Sequence, residues 1–181
     1  MRKVAVFVTF LALVLLSGKV PAFEPDTTNK MELRVKRAIL TILIKDTGIQ
    51  RFFDDSAGYV VFPSVGKGGI IIGGAFGRGL VIVNEQVDGF ASLSQATIGI
   101  QLGGQKYSQF IFFKDQTALD HFKRGNFEFG AQASAVAITV GASADAAYDM
   151  GVAVFTVPLG GLMFEGTISG QRFSYQPKSA D

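Results

Sequence analysis

Residues 58–83, GYVVFPSVGKGGIIIGGAFGRGLVIV, decide the fold class of this chain. Short runs of Val, Ile, Leu and Phe alternate here with glycines and a single proline, Pro63. β-Branched and aromatic residues favour strands, whereas Gly and Pro mark the turns between them. The stretch therefore predicts successive short strands. They are placed at 59–62, 69–75 and 80–83, with turns at Pro63 and 76–79.

The same pattern continues towards the C-terminal end. One short helix is predicted at 116–123, because Leu119 and Phe122 share one helical face. The alanine-rich segment 127–140 fits a helix or a strand, and we assign a strand because Phe127 and Phe129 alternate with polar or small neighbours. Further strands are predicted at 90–102, 107–113, 152–157, 162–168 and 172–175. Turns are predicted at 85–89, 103–104, 160–161 and 169–170. In the turn at 85–89, Asp88-Gly89 is the strongest turn signal. About eight antiparallel strands with glycine at the corners predict a strongly curved sheet or barrel.

Helices are predicted upstream of these strands. Residues 30–45 show the 3.6-residue period of an amphipathic helix, and a shorter helix with Ile49, Phe52 and Phe53 follows it and ends at Gly58. The fold class is thus α+β: an N-terminal helix or helix pair, then a strongly curved, mainly antiparallel sheet or barrel with one short inserted helix. We expect a linker at 23–29, a single domain at 30–176 and a frayed tail at 177–181.

The first 22 residues have the pattern of a secretory signal peptide. Arg2 and Lys3 precede an apolar run at 4–16, and Val20 and Ala22 provide the small residues before a cut after Ala22. Thirteen residues are too few for a membrane-spanning helix, which needs about 20. The alternative is a buried N-terminal helix. The order of charged start, apolar middle and small-residue end favours export, to the periplasm or out of the cell, with the protein peripheral to the outer membrane as one possible site.

Composition excludes several classes of protein. The 181 residues contain no Cys and one His, His121, so disulfides, thiolate metal sites and sites with two imidazoles are excluded. Removal of Arg2, Lys3 and Lys19 with the signal peptide leaves 14 basic against 15 acidic residues. A globally basic nucleic-acid binder is therefore not expected. The composition indicates no cofactor.

The motifs that suggest catalysis are weak. Ser64 and Lys67 match S-x-x-K, but the S-D-N and K-T-G elements that accompany it in penicillin-binding folds are missing. The glycine-rich segment 66–69 lacks the spacing of a phosphate-binding loop. Asp120 beside His121 does not make a dyad, because adjacent helical residues do not face each other. We expect no enzyme here.

The first predicted helix carries a basic stripe. Lys30, Arg34, Arg37 and Lys45 lie on one side of it, and Leu33, Leu40 and Ile44 lie beside this stripe. Such a surface attracts anionic lipid headgroups. The alternative is an ordinary helix whose apolar face packs on the sheet while its basic side is solvated. Lys67 and Arg78, in predicted glycine-rich turns, extend the candidate lipid-binding set.

Several segments resemble the SYLF domain family. They are GYVVFPSVGKGG at 58–69, GGAFGRG at 73–79, IGIQLGGQ at 98–105, GNFEF at 125–129, GVAVFT at 151–156 and GGLMFEG at 160–166. The resemblance covers about residues 31–175 and is greatest to the exported bacterial branch of the family.

This resemblance implies a lipid-binding module. Eukaryotic SYLF domains bind phosphoinositides, partly through an N-terminal amphipathic helix, and some bind actin. The matching position of the helix at 30–45 implies a role for its basic residues. A bacterial envelope generally lacks phosphoinositides and actin, so the implied ligand is another anionic phospholipid and an actin-like role is not expected.

Two function classes follow. In the first, the chain is an exported phospholipid-binding module, acting at a membrane surface or through a cavity of the sheet. Phe52, Phe53, Phe62 and Phe110 are then candidate apolar contacts, although each also fits a plain core. In the second, it is an envelope structural or host-interaction protein whose partner is another protein.

Overall fold

The computed structural model describes residues 23–69, 72–98, 104–125, 127–129, 135–160 and 168–179. The predicted signal peptide at 1–22 lies outside these residues, as does most of the strand predicted at 162–168. The helices are α1 (Lys30–Lys45), α2 (Gln50–Asp55) and α3 (Gln116–Lys123), with a 3-10 turn at Thr47–Ile49. The strands are β1 (Gly58–Gly69), β2 (Ile72–Val83), β3 (Gln86–Ile98), β4 (Gln105–Phe113), β5 (Phe127–Glu128), β6 (Val136–Ala137), β7 (Val152–Gly160) and β8 (Gln171–Pro177).

All eight strands belong to one sheet in the order β5-β8-β3-β2-β1-β4-β7-β6. The pairs are antiparallel except β6 with β7, which run parallel. In the part of the chain that the structure describes, two helices precede the sheet and α3 is inserted between β4 and β5, so the predicted α+β class is confirmed. Among the described residues, no helix combines the length and the apolar character needed to cross a bilayer.

The sheet curls strongly into a half-barrel. Strands β4 and β8 are four positions apart in the sheet, a separation of about 19 Å if it were flat. Nevertheless, Gln109 Nε2 on β4 donates a hydrogen bond of 2.8 Å to Gln171 Oε1 on β8. Gln171 Nε2 in turn lies 3.2 Å from Gln109 Oε1. The two buried amides can therefore satisfy each other across the concave side.

Both faces of the sheet carry a core. On the convex face, α1 and α2 pack Val35, Ile39 and Phe52 against strand residues that include Phe110 and Phe112. On the concave face the core residues include Phe62, Phe113, Leu119, Phe122 and Phe173. Because strand side chains alternate between faces, each central strand contributes to both cores. The continuous apolar runs in the sequence follow from this double burial.

Helix α1 begins at a conventional cap. Asn29 Oδ1 accepts hydrogen bonds from the backbone N–H groups of Met31 and Glu32, at 2.9 and 3.3 Å. The predicted linker at 23–29 has no helix or strand, yet Phe23 is only 1% exposed and packs in the convex core. Lys36 Nζ donates a 2.7 Å hydrogen bond to the carbonyl oxygen of Phe23.

Two turns predicted in the opening stretch are wrong. Strand β1 continues past Pro63 to Gly69, because a bulge between Phe62 and Val65 absorbs the proline. Strand β2 runs through 76–79 without a break. Gly79 lies in this strand because a Cβ atom there would collide with the carbonyl oxygen of Val61. Its glycine serves close strand approach rather than a turn.

The turn predicted at 85–89 is also misplaced. The hairpin turn consists of Asn84 and Glu85, both with positive φ, and β3 starts at Gln86. Asp88 sits at a bulge opposite Val81 and Ile82, which explains its turn-like sequence. The strand predicted at 127–140 is wrong as a single element: its described parts form the two-residue strands β5 and β6, and a turn begins at Val140.

Strand ends differ from prediction in smaller ways. Strand β3 begins before the predicted residue 90, and the predicted continuation from 99 to 102 lies outside the described residues. Strand β7 extends to Gly160. In the segment predicted to fray, Pro177 still pairs with Gly89, and the Lys178 N–H donates to Asp88 O at 3.0 Å.

Candidate functional site

The solvent-facing side of α1 unites four of the predicted site residues. Lys30, Arg34, Arg37 and Lys45 are all exposed on the helix. Val35, Ile39 and Ile42, on the opposite side, are fully buried against the sheet. We call the exposed side the α1 outer face. It consists of Lys30, Leu33, Arg34, Arg37, Leu40, Ile44 and Lys45.

Positive charge on the α1 outer face is not neutralised by neighbouring acids. None of its four basic side chains forms an ion pair with another described residue. The helix has one acidic residue, Glu32, and it is 7% exposed and turned to the Asp26 N–H and the Asn29 amide. Lys36 is set apart from the face, since it pairs with Glu24 at 3.3 Å. The face therefore presents only cations among its charged groups.

Large apolar side chains lie beside these cations. Leu33 is 42% exposed, Leu40 is 40% exposed and Ile44 is 83% exposed. The sequence placed the three beside the basic stripe, where apolar neighbours can enter a membrane interface, but the predicted site included only basic residues. Their position on the helical wheel could have identified them. When a helix packs on the sheet through one narrow face, the residues beside its polar stripe stay outside the core.

A loop is bound to the C-terminal end of α1. Asp46 Oδ2 accepts a 2.7 Å hydrogen bond from the Ser143 N–H, and Oδ1 accepts one of 3.0 Å from the Gly48 N–H. Burial opposes ionisation of Asp46, but the hydrogen bonds from Ser143, Gly48 and Gly141 outweigh it and lower its pKa. Val140, next to Gly141 in this loop, is 92% exposed. The loop thus adds an exposed apolar residue at the end of the helix that carries Ile44.

The remaining two predicted site residues fall on different faces of the sheet. Arg78 lies two residues before the convex-core residue Leu80 in the same strand, so its side chain points to the face that carries α1. Its guanidinium carbon lies 6.0 Å from the Phe76 ring centroid. Lys67 is paired with Ala75 of the concave core and points to the other face. Burial lowers the pKa of Lys67. The structure therefore separates Lys67 from the α1 outer face.

The phenylalanines considered as apolar contacts are core residues. Phe52, Phe53, Phe62 and Phe110 are between 0 and 8% exposed. Rings of Phe52 and Phe53 both pack on Phe112, at centroid distances of 5.7 and 4.9 Å. None of the four lies on the α1 outer face. Phe52, Phe53 and Phe110 pack in the convex core, and Phe62 packs on Phe173 in the concave core.

Other motifs from the sequence lie apart from this face. His121 is exposed on α3, with its ring 5.4 Å from that of Phe127. Ser64 lies at the β1 bulge. Within the described ranges, no three His, Cys, Asp or Glu side chains are grouped as a metal site would require.

Two comparisons found known sequences that are similar to this chain. Residues 94–176 match the family model described as "Ysc84: Las17-binding protein actin regulator". A curated protein of Aeromonas veronii, named "Beta cell expansion factor A", is 26% identical over 156 residues. That match covers 83% of this chain and 59% of the relative, so the chain spans about three fifths of the relative's length. The family match runs from within β3 to within β8, and α1 lies before it.

Proposed function

This chain belongs to the SYLF (Ysc84) domain family by its match at 94–176, and from that premise we propose that it is an exported module that binds anionic phospholipid. Membership supports lipid or actin binding as the general class. The finer assignment rests on one observation: the α1 outer face combines exposed leucine and isoleucine with four cations that form no ion pair with another described residue. We assign the chain a binding function and not an enzymatic one.

Electrostatic attraction supplies the first part of the binding free energy. Each basic side chain near an anionic membrane contributes about 1 kcal/mol, so the four together give about 4 kcal/mol. Screening acts over a Debye length of about 8 Å at physiological ionic strength. We therefore expect reversible binding that weakens as salt is raised.

Apolar contacts supply the second part. Leu33, Leu40 and Ile44 are already partly in water on the folded protein, so their transfer into the headgroup region removes apolar surface without unfolding anything. Such transfer is worth about 25 cal/mol per Å² of apolar surface. A helix lying in the plane of the interface, with basic residues flanking its apolar ones, is the geometry of peripheral membrane anchors.

Export is part of the proposal. The sequence of residues 1–22 predicts cleavage after Ala22, which would deliver the domain to the periplasm or beyond the cell. There the anionic phospholipids of an envelope or of another cell's membrane are the available ligands. An actin partner inside a host cell would require a further transfer, and we do not assign one.

The test is vesicle co-sedimentation of residues 23–181 with neutral and anionic liposomes at low and physiological salt. In the test variant, Lys30, Arg34, Arg37 and Lys45 are changed to Glu. In the control, four exposed basic residues elsewhere receive the same change. They are Lys106, Lys114, Arg124 and Lys178.

We expect the wild type and the control to bind anionic vesicles, the control more weakly through its altered net charge. The α1 variant should lose binding by at least about a hundredfold, which corresponds to about 3 kcal/mol. Equal loss in both variants would show a general charge effect and contradict a specific face. Unchanged binding of the α1 variant would remove the assignment altogether.

A second candidate is a host-interaction protein whose partner is a protein. The name of the Aeromonas veronii relative describes an effect on beta cells, and that observation alone favours this alternative. Wild-type protein that ignores every vesicle but associates with a host-cell protein in a pull-down, equally with and without the α1 substitutions, would support it.

A further inference from the structure

Strand β2 is covered by helix along only part of its convex side. Leu80 and Ile82, on this side of the strand, are buried in the convex core, where α1 packs on β1 and β2. Phe76 and Arg78 precede them on the same side, because strand side chains alternate, and both are exposed. The helix layer therefore ends before it reaches residues 76–78, although these residues belong to a strand on which α1 packs.

Two exposed phenylalanines flank Arg78. Phe76 is 56% exposed and Phe90 is 43% exposed, and among the described residues no other phenylalanine is exposed. Phe90 on β3 is paired with Leu80, so its side chain lies on the convex side as well. Adjacent strands are about 4.8 Å apart, and two residues along a strand span about 6.8 Å, so both rings start close to Arg78. We call Phe76, Arg78 and Phe90 the β2–β3 patch.

The charge of the β2–β3 patch is positive and has no acidic partner among the described residues. Arg78 takes part in none of the ion pairs of this part of the chain. Its guanidinium carbon, 6.0 Å from the centre of the Phe76 ring, lies at the outer limit of a cation–π contact. Glu128 is held by Arg172 at 3.0 Å at the edge of the sheet. A surface of exposed rings around an unpaired cation is complementary to an anionic, partly apolar partner.

From this arrangement we propose that the β2–β3 patch makes a second contact with the anionic bilayer, at the same time as the contact through the α1 outer face. The inference rests on the proposed function, because it presupposes binding to anionic phospholipid. In this contact the Arg78 guanidinium binds a headgroup phosphate, for which its planar set of N–H donors is suited. The rings of Phe76 and Phe90 enter the interfacial region beside it.

The height of α1 above the sheet allows both contacts. A helix with its side chains is about 10–12 Å across, so the α1 outer face stands about that far above the sheet. Interfacial helices sink about 5–10 Å into the boundary between headgroups and acyl chains, and the headgroup layer is about 5–7 Å thick. Phe76 and Arg78 stand up from the sheet towards this layer. They reach headgroups while Leu40 and Ile44 on α1 reach the acyl chains.

The first experiment places a fluorescent reporter in the patch. Phe76→Trp in residues 23–181 introduces a single Trp, because the chain has none. We expect its emission to shift to shorter wavelength on anionic vesicles and to be quenched by lipid brominated near the headgroup. Emission that stays unchanged while the protein co-sediments with the vesicles would overturn the inference and leave the proposed function standing. Failure of the wild type to bind any vesicle would overturn both.

The second experiment compares affinities for anionic vesicles. Phe76→Ser combined with Arg78→Gln removes an exposed ring and an exposed charge and leaves α1 unchanged. We expect it to weaken binding about tenfold or more, because each basic residue near an anionic surface and each apolar contact adds to the affinity. The matched control is Met150→Ser combined with Arg124→Gln, two exposed positions near α3 that give the same change in net charge.

The control should bind like the wild type. Wild-type affinity in the Phe76 and Arg78 variant, or equal weakening in the control, would contradict a second contact. Loss of binding confined to the variant with four α1 substitutions would support the α1 outer face alone and remove the β2–β3 patch from the membrane-binding surface.

Discussion

At the scale of single residues, Asp46 holds together two parts of the chain that are far apart in sequence. It ends α1 and accepts hydrogen bonds from Gly48 and from Ser143, 97 positions away. Its side chain is 5% exposed, so water cannot replace these donors without local opening. The loop that carries Val140 is positioned relative to Ile44 through this carboxylate.

Substitution of Asp46 by Asn should therefore destabilise the protein. We expect a loss of about 1–3 kcal/mol at neutral pH, the value of hydrogen bonds to a buried charged group. The pKa of Asp46 in the folded state lies below its ordinary value of 3.8. Its stabilising effect is thus fully present above about pH 4 and is lost as the pH falls through the lower, folded value.

Urea unfolding of wild type and Asp46→Asn from pH 7 to pH 3 measures this contribution. The difference in unfolding free energy should shrink below about pH 4. Asp145→Asn, an exposed carboxylate in the same loop, is the control and should change stability by less than about 0.5 kcal/mol. A difference between wild type and Asp46→Asn that is constant with pH would exclude an ionised Asp46 as the cause.

The sequence predicted the cations of the α1 outer face but could not predict where Lys67 lies. The four cations of the α1 outer face could be found from helical periodicity alone. Lys67 could not be placed, because its face depends on the bulge after Phe62, and a bulge shifts the alternation of side chains.

At the scale of elements, the curl of the sheet depends on glycine where β2 crosses β1. A Cβ atom at position 79 would meet the Val61 carbonyl oxygen and lie 2.9 Å from the Phe62 ring. A Cβ atom at position 68, by contrast, would have nothing within 4 Å. The two glycines lie in paired strands of one sheet, but only position 79 is too crowded for a Cβ atom.

Gly79→Ala should therefore destabilise the protein by about 1–3 kcal/mol, the usual cost of overpacking. Gly68→Ala is the matched control and should be neutral or slightly stabilising, because it also reduces the entropy of the unfolded chain. Thermal unfolding followed by circular dichroism compares them. Equal melting temperatures for the two variants would show that the contact at position 79 relaxes without cost.

The orientation of α1 on a membrane is a second question at this scale. The chain contains no Trp, so a single introduced Trp reports its own environment. We expect Ile44→Trp and Val140→Trp to shift to shorter emission wavelength on anionic vesicles and to be quenched by brominated lipid. The reason is that both side chains are exposed, and that Val140 precedes Gly141 and Ser143, whose hydrogen bonds to Asp46 hold this loop at the C-terminal end of α1.

Met150→Trp is the control for orientation. Its side chain is 90% exposed, close to the 92% of Val140. The residue lies beside α3 and not beside α1, because a Cβ atom added to its neighbour Gly151 would be 3.2 Å from Ala118 Cβ. It should stay in water and keep its emission spectrum. Quenching at all three positions would indicate insertion of the whole domain and contradict docking through α1.

At the scale of the whole molecule, the predicted cleavage site coincides with a core residue. Phe23 would become the first residue of the exported chain, and it is fully buried against the helices and sheet. We expect the intact mass of the protein recovered from the periplasm or medium to correspond to residues 23–181. A mass that includes residues 1–22 would contradict the predicted signal peptide.

A chain that begins at Glu24 provides the matching stability control. Loss of the Phe23 ring leaves a space in the convex core, and removal of a buried phenylalanine side chain costs about 3–5 kcal/mol. We expect lower stability of that shorter chain by this amount in chemical unfolding. Equal stability would mean that the core closes over the vacated position.

The overall class of the fold could be predicted from the sequence, but the exact strands could not. Helix periodicity and the change to β runs at Tyr59 gave α+β and the inserted helix α3. The strand boundaries failed at Pro63, Gly77 and Asp88 because a long, curled strand uses proline, glycine and Asp-Gly at bulges and close contacts. Proline, glycine and Asp-Gly are also the usual residues of turns, so the local sequence does not distinguish a turn from a bulged strand. Only hydrogen-bonded pairing with strands on both sides distinguishes them.

The position of β8 in the sheet has a consequence for how the protein is made. Synthesis proceeds from the N-terminal end, yet β3 pairs on one side with β8, whose residues are made only after those of β4 to β7. Until then one edge of β3 has no strand beside it, and the Gln109 amide lacks Gln171. Such an open edge invites pairing with other chains, so we expect the growing polypeptide to aggregate unless chaperones keep it apart. A ribosome that stops before residue 171 would release a product with that edge bare, suited to aggregation and degradation.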